Sequence, residues 1–240
     1  MPPEWNPYEP PSADVAPPAP AVAVARAGVV APATTWARAA TVGLGLAVVV
    51  ALVSLWIEWS YVEALQSGGR SDFDPTVLST RARWLQLAGL VDLVLYVATG
   101  ICFLAWVAGA SRTARSIVPA LIRDTPTWTV AWWFIPIANL YKPYAGLRKI
   151  WNVTMIPSGV RVGESPPGLF LLWWGCFVAR VVLFRLAAAM FNSKNVGDLI
   201  TAAQVQMVGE VASCVAALAA IGVIRAIHAP QVKLARPRGG

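Results

Sequence analysis

Residues 39–57 read AATVGLGLAVVVALVSLWI, nineteen residues without a charge. A helix of about twenty apolar residues crosses the hydrocarbon core of a bilayer. Glu58 follows at once, and Trp56 and Trp59 flank the end of the stretch, as is typical of a helix that stops at the membrane interface. The pattern predicts a membrane-spanning helix over 39–58.

Three further apolar stretches follow along the chain, at about 84–110, 168–191 and 205–224. Apolar residue types make up 57% of the 240 residues and charged types 13%, about half the charged share of a soluble domain. This composition excludes a soluble globule and a chain that is disordered throughout. The predicted fold class is therefore all-α, a polytopic integral membrane protein with four transmembrane helices.

The two ends of the chain differ from the membrane region in composition. Residues 1–35 are rich in Pro and Ala and have no helical or strand period, which predicts a disordered tail. That tail is either a plain linker or a ligand for a proline-binding module. Residues 229–240 form a basic C-terminal tail, which leaves a predicted four-span membrane domain over 36–228.

One apolar stretch, 125–147, fits a spanning helix poorly. It contains Pro126, Pro136 and Pro143, and proline breaks a helix by removing a hydrogen bond. With four spans, thirteen Lys and Arg residues lie on the side of the termini and four on the other, whereas five spans give at best eleven and six. Because cytoplasmic loops carry the excess of cations, we predict both termini in the cytoplasm and a re-entrant or interfacial helical segment over 125–155, with five spans as the alternative.

The long loop between the second and third spans is basic. Its helical stretches place cations opposite apolar side chains, as in helices that lie in the membrane plane. Anionic lipids would add about 1 kcal/mol per nearby cation, while ordinary positive-inside topology without a specific lipid is the alternative. The candidate headgroup contacts are Arg112, Arg115, Arg123, Arg148 and Lys149.

The centre of this loop reads WWFIPIANLYKPY at 132–144. A proline ends the first helical turn, an asparagine amide can satisfy the freed backbone groups, and a second proline suits the start of the next helix. We predict a helix–turn–helix wedge, which is either a pure fold element or the lining of a solute path. The motif residues are Trp132, Trp133, Phe134, Pro136, Asn139, Pro143 and Tyr144.

This segment resembles the WFIPxxNLxxPY core of a bacterial family of four-span membrane proteins that is grouped as a domain of unknown function. The family continues with an acidic residue, Ile and Trp, where this chain has Lys149, Ile150 and Trp151. The resemblance implies the four-span fold over about 36–228 and a location in the bacterial plasma membrane. It implies no activity.

Five charged residues interrupt or border the apolar stretches: Glu58, Asp92, Arg180, Arg185 and Glu210. A charge inside the bilayer costs on the order of 3 kcal/mol, so partners are expected. Counting 1.5 Å per residue places all five in the outer part of the bundle. The depths predict that Arg180 pairs with Asp92, and Arg185 with Glu210 or Glu58. These pairs either fix helix register only or line a polar cavity that opens outward.

Three classes of function follow from these features. The first expectation is a structural or interaction scaffold that associates with lipid, a membrane protein partner or a second copy, because small residues recur at every fourth position of the first span. The alternative is an oligomeric channel or transporter whose cavity is formed by Asp92, Arg180, Arg185 and Glu210. An enzyme is least favoured, since no nucleophile motif or metal-ligand cluster is present. We expect no cofactor, no metal and no nucleic-acid partner.

Overall fold

The computed structural model describes residues 31–67, 75–191 and 195–235. Within these ranges every regular element is a helix, so the all-α prediction is confirmed. Most of the predicted disordered tail (1–35) and the last five residues of the basic C-terminal tail lie outside the described residues. The helices are α1 (Thr34–Ser67), α2 (Pro75–Ile117), α3 (Pro126–Ala131), α4 (Lys142–Met155), α5 (Leu169–Met190) and α6 (Val196–Ala235), with single 3-10 turns at Ala138–Leu140 and Ile156–Ser158.

Four of these helices, α1, α2, α5 and α6, are long and apolar enough to cross a membrane, as predicted. Helix α5 has 22 residues, or about 33 Å, and so matches a bilayer core in length. The other three are longer than predicted, at 34, 43 and 40 residues. Helix α1, for example, continues past Glu58 to Ser67, because a helix does not have to stop where its apolar stretch stops.

The four long helices are arranged as a row in the order α2, α1, α6, α5, with neighbours antiparallel. Helix α1 packs on α2 and on α6, and α6 packs on α5. Gly43 of α1 faces Thr99 of α2, and Gly222 in the second half of α6 faces Leu169 at the start of α5. Helices α2 and α5 lie at the two ends of the row. Their backbones hardly approach each other. A crevice therefore remains between them.

The segment between α2 and α5 lies across one end of the bundle, which we call the motif end. Gln231 of α6 donates hydrogen bonds from its amide nitrogen to the carbonyl of Ala110 in α2 and to the hydroxyl of Thr154 in α4, both at 3.1 Å. The Ser111 and Thr129 hydroxyls, 3.2 Å apart, join α2 to α3. Helix α2 ends and α5 begins at this same end, so the proline-rich segment returns to where it started, as the four-span prediction requires.

Close packing of α1 on α2 depends on Gly43. A methyl group at this position would collide with the Thr99 side chain, including its Cβ at 3.1 Å, whereas nothing lies within 4 Å of the same position on Gly45. We expect Gly43→Val to lose about 1–3 kcal/mol of stability by overpacking and Gly45→Val to stay within about 0.5 kcal/mol of the wild type. Unfolding titrations in mixed micelles measure both. Equal losses in the two variants would contradict the packing of α1 on α2.

Candidate functional site

An ion pair bridges the crevice between α2 and α5. The Arg180 guanidinium donates a hydrogen bond from Nη2 to Asp92 Oδ2 at 2.8 Å and from Nε to the Ser213 hydroxyl of α6 at 2.6 Å. Its planar group also lies over the rings of Tyr96 and Phe184, at 5.0 and 4.7 Å from their centroids. The predicted pairing of Arg180 with Asp92 is thus present, and it joins three helices.

The ion pair lies at the middle of α5. Arg180 is eleven residues from Leu169 and ten from Met190, about 16 Å from either end of the helix. The expectation that all five charges lie in the outer part of the bundle is therefore wrong for this pair. Its position is at the depth where an ionised side chain is most costly unless it is paired.

Arg185 does not join this group, and the prediction that it pairs with Glu210 or Glu58 is wrong. Its side chain is exposed on the surface of α5, and the salt bridge found in the described part of the chain joins Arg180 to Asp92. Five residues along a helix correspond to a rotation of about 140°. This rotation turns Arg185 away from the crevice.

Two further carboxylates lie beside the ion pair. Glu58 of α1 is 1% exposed and Glu210 of α6 is 4% exposed. Both oxygens of Glu58 are buried without a hydrogen bond of normal geometry, although the Gln206 amide is close to them. Within the described ranges neither glutamate forms a salt bridge. The interior of the crevice therefore holds three carboxylates and one guanidinium.

Two cavities meet at the ion pair, each of about 370 Å³. The carboxylate cavity extends from the pair toward the end of α5 at Phe191, away from the motif end. Besides that residue, its lining includes Glu58, Asp92, Tyr96, Arg180, Gln206 and Glu210. The aromatic cavity extends from the same pair toward the motif end. Its lining includes Tyr96, Phe103, Trp133, Phe134, Trp173 and Phe177.

The predicted motif forms the floor of the aromatic cavity. The Trp133 ring lies 5.7 Å from that of Phe103 and 6.2 Å from that of Trp173. The indole nitrogen of Trp174 donates a hydrogen bond to the Leu140 carbonyl at 2.9 Å and so ties the motif turn to the start of α5. The side-chain oxygen of Asn139 lines the cavity and has no hydrogen-bond partner in the described structure. The motif is thus both a fold element and part of a cavity lining, which are the two alternatives that the sequence left open.

The remaining motif residues fix the turn itself. Pro136 precedes Ile137, whose φ of 66° is a conformation that L residues rarely adopt. The Lys142 ammonium lies 4.7 Å from the centre of the Trp132 ring, and Pro143 lies in the first turn of α4, as predicted. Tyr144 packs against the core at the motif end.

The five cations predicted to contact lipid headgroups are all exposed, and they flank the motif on α2, α4 and the loop between α2 and α3. Helix α4 buries Leu147, Ile150 and Trp151 against the bundle and leaves Arg148 and Lys149 outside. The predicted amphipathic division of α4 is therefore confirmed for these residues. It is wrong for Asn152, which the helical pattern places on the exposed face but which is buried, with its side chain hydrogen-bonded to the backbone of Gly163 and Glu164. The five exposed cations are Arg112, Arg115, Arg123, Arg148 and Lys149.

Sequence reasoning missed three polar contributors to the crevice: Tyr96, Gln206 and Ser213. A signal for all three exists, because Tyr96 follows Asp92 by four residues, while Gln206 precedes Glu210 by four and Ser213 follows it by three. These spacings place each on the same helix face as the charge.

Among the described residues, no group of three or more His, Cys, Asp or Glu side chains is arranged to hold a metal ion.

Comparison with known proteins gives one family. No curated protein and no solved structure matches the chain. Residues 69–229, more than half of the chain, match the family model described as "Domain of unknown function (DUF4328)". The matched range holds α2 to α5 and most of α6, and with them the ion pair and the motif. This four-helix membrane protein therefore belongs to the DUF4328 family.

Proposed function

We propose that the protein is a carrier or channel that takes a solute into the crevice between α2 and α5. The observation that supports this function best is the position of the Asp92–Arg180 pair between two cavities. Each cavity is within the 300–1,000 Å³ range that is usual for small-molecule sites. Ionisable residues at membrane depth mark solute and ion pathways in many membrane proteins.

The scaffold function that the sequence favours has less support. If the ion pair only fixed the register of the helices, we would expect a tightly packed bundle in which each charge has a counter-charge. Here Glu58 is buried without a salt bridge, and space remains on both sides of the ion pair. In the proposed function the protein forms and breaks no covalent bond, and it is not an enzyme.

We further propose a location in a bacterial plasma membrane with both termini in the cytoplasm. The exposed cations at the motif end support this orientation, because cytoplasmic surfaces carry the excess of Lys and Arg. The same cations would attract anionic lipid headgroups. Arg185, exposed on the surface of α5, supports contact with a second copy or another membrane protein, in keeping with an oligomeric carrier.

Thiol accessibility tests this proposal without knowledge of the solute. In a chain with Cys102, Cys176 and Cys214 replaced by serine, single cysteines are placed at Ala88 in the carboxylate cavity and at Ala217 in the aromatic cavity. We expect a small charged thiol reagent to modify Ala88→Cys from the side opposite the motif end.

Removing the ion pair should connect the two cavities. We expect Ala217→Cys to gain reactivity from the side opposite the motif end when Asp92→Asn and Arg180→Gln are combined, which removes both charges and leaves none unpaired. Leu218→Cys, which is 59% exposed on the outer face of α6, is the matched control and should not react inside lipid. If Ala88→Cys and Ala217→Cys react no faster than Leu218→Cys in all backgrounds, the crevice holds no solute path.

A further inference from the structure

We infer that the solute is a lipophilic organic cation that reaches the crevice sideways from the bilayer. This inference rests on the proposed function and names the class of molecule for the same site. It follows from the charges in the carboxylate cavity, the rings in the aromatic cavity and the gap between α2 and α5.

The charges of the crevice favour a cation. Glu58, Asp92 and Glu210 face one shared space, and Arg180 is the cation that lines it. Asp92 already holds Arg180, while the buried Glu58 carboxylate lines the cavity without a hydrogen bond of normal geometry. An ionised carboxylate removed from water costs several kcal/mol unless a counter-charge approaches it. A cationic ligand would supply that counter-charge, whereas an anion would add a further repulsion.

The aromatic cavity favours an organic body over a hydrated ion. Its lining includes the rings of Tyr96, Phe103, Trp133, Trp173 and Phe177. Aromatic faces attract organic cations by about 0.5–2 kcal/mol each. Arg180 shows the same chemistry within the protein, because its guanidinium lies over the Tyr96 and Phe184 rings. Ca²⁺ and Mg²⁺ need several oxygen ligands in a defined geometry, and among the described residues no group of three or more His, Cys, Asp or Glu side chains is arranged to hold a metal ion.

The route of entry follows from the helix order. The backbones of α2 and α5 do not pack against each other, and the gap between them is bridged by the ion pair and by ring contacts such as Phe103 with Trp173. Both cavities are lined by residues of both helices. Arg180 lies at the middle of α5, so the gap is at the depth of the lipid tails. A molecule that already partitions into the bilayer can therefore enter the crevice without passing through water.

Arg180 has two carboxylates available, which allows the site to admit a cation without leaving a charge unpaired. Glu210 lines the same cavity and precedes Ser213, the second partner of Arg180, by three residues on the same face of α6. When a cation binds between Glu58 and Asp92, the guanidinium moves from Asp92 to Glu210. The exchange breaks one ion pair and forms two, so each cation present has a carboxylate.

Two probes of equal shape and opposite charge test the inference. The full chain is placed in nanodiscs of zwitterionic phosphatidylcholine, and binding of tetraphenylphosphonium and tetraphenylborate is measured by quenching of tryptophan fluorescence, with empty nanodiscs subtracted. We expect tetraphenylphosphonium to saturate a single site at least tenfold more tightly than tetraphenylborate. Equal or tighter binding of tetraphenylborate, or no saturable binding of tetraphenylphosphonium, would overturn the inference.

A matched pair of variants locates the site. Glu58→Gln should weaken tetraphenylphosphonium binding about tenfold, whereas Glu63→Gln, at an exposed position of the same helix, should leave it unchanged. Equal effects of the two variants would contradict the role of Glu58.

A measurement that needs neither variant is protection of Ala88→Cys, in the carboxylate cavity, from the thiol reagent by tetraphenylphosphonium. We expect protection, and its absence contradicts binding of the cation beside the carboxylates. If the crevice cysteines react but tetraphenylphosphonium does not bind, the proposed function stands and only this class of solute is excluded. Unreactive cysteines would remove the proposed function itself.

Discussion

Arg180→Met is expected to destabilise the protein by about 3–5 kcal/mol, because it leaves the Asp92 carboxylate unpaired at the middle of the bundle. The lost interactions also include the hydrogen bond to Ser213 and the contacts with two aromatic rings. Methionine fills a similar space, so the loss reports mainly on charge. Unfolding in mixed micelles, followed by circular dichroism, measures the change.

Arg185→Met is the matched control for this prediction. It removes the same side chain from the same helix, at an exposed position outside the crevice, and we expect a change within about 0.5 kcal/mol. A second control combines Asp92→Leu with Arg180→Met. Because an apolar pair can replace a buried ion pair at little cost, the double variant should recover most of the loss. Equal losses at Arg180 and Arg185, or losses that add in the double variant, would show that the ion pair does not hold the crevice together.

The sequence was sufficient to predict the spanning helices but not their full lengths. A count of uncharged residues detects the part of a helix that lies in hydrocarbon. It carries no information on the turns beyond, where polar residues are tolerated. Helix α2 begins at Pro75 instead of near residue 84 for this reason, and α1 continues for nine residues beyond Glu58.

The relative depth of residues on two helices could be predicted, whereas their absolute depth in the bundle and the direction of each side chain around its helix could not. Arg180 and Asp92 meet because antiparallel helices with a fixed rise bring equal depths together. The face of α5 was also readable, because Trp173, Arg180 and Ala187 are spaced seven residues apart and so share one face. Trp173 and Ala187 are both buried, at 4% and 1% exposure. Arg185 does not lie on this face. A pairing predicted from depth alone does not take the face of the helix into account.

The sequence offered a polar cavity at Asp92, Arg180 and Glu210 as one alternative, but the shape of the carboxylate cavity and the existence of the aromatic cavity could not be predicted from it. Both cavities exist because α2 and α5 are the ends of the row of helices and leave a gap between them. The order of helices in a row is a property of the whole packing, and no local pattern of residues encodes it. The same applies to the Trp133 ring, whose partners come from α2 and from α5.

Gln231→Ala is expected to cost about 2–4 kcal/mol and to loosen the motif end of the bundle. Gln231 is fully buried, and its amide is hydrogen-bonded to both α2 and α4. The variant loses two hydrogen bonds, each worth about 1 kcal/mol, and leaves a cavity that the surrounding helices fill only in part. Lys233→Ala, at an exposed position two residues further along α6, should change stability by less than about 0.5 kcal/mol.

Hydrogen exchange along the chain distinguishes a local from a global effect of this change. Gln231 is the residue of α6 that donates hydrogen bonds to both α2 and α4. We therefore expect faster exchange in Lys142–Met155 than in the second half of α5, where Phe184 packs on Gly209 of α6, more than twenty residues along the helix from Gln231. Gln231→Leu keeps the volume and removes only the hydrogen bonds, so its loss should be about half that of Gln231→Ala. If α4 exchanges at the wild-type rate in both variants, the aromatic contacts between the motif and α5 are sufficient to hold it, and the wedge would then be fixed by its tryptophans and not by the end of α6.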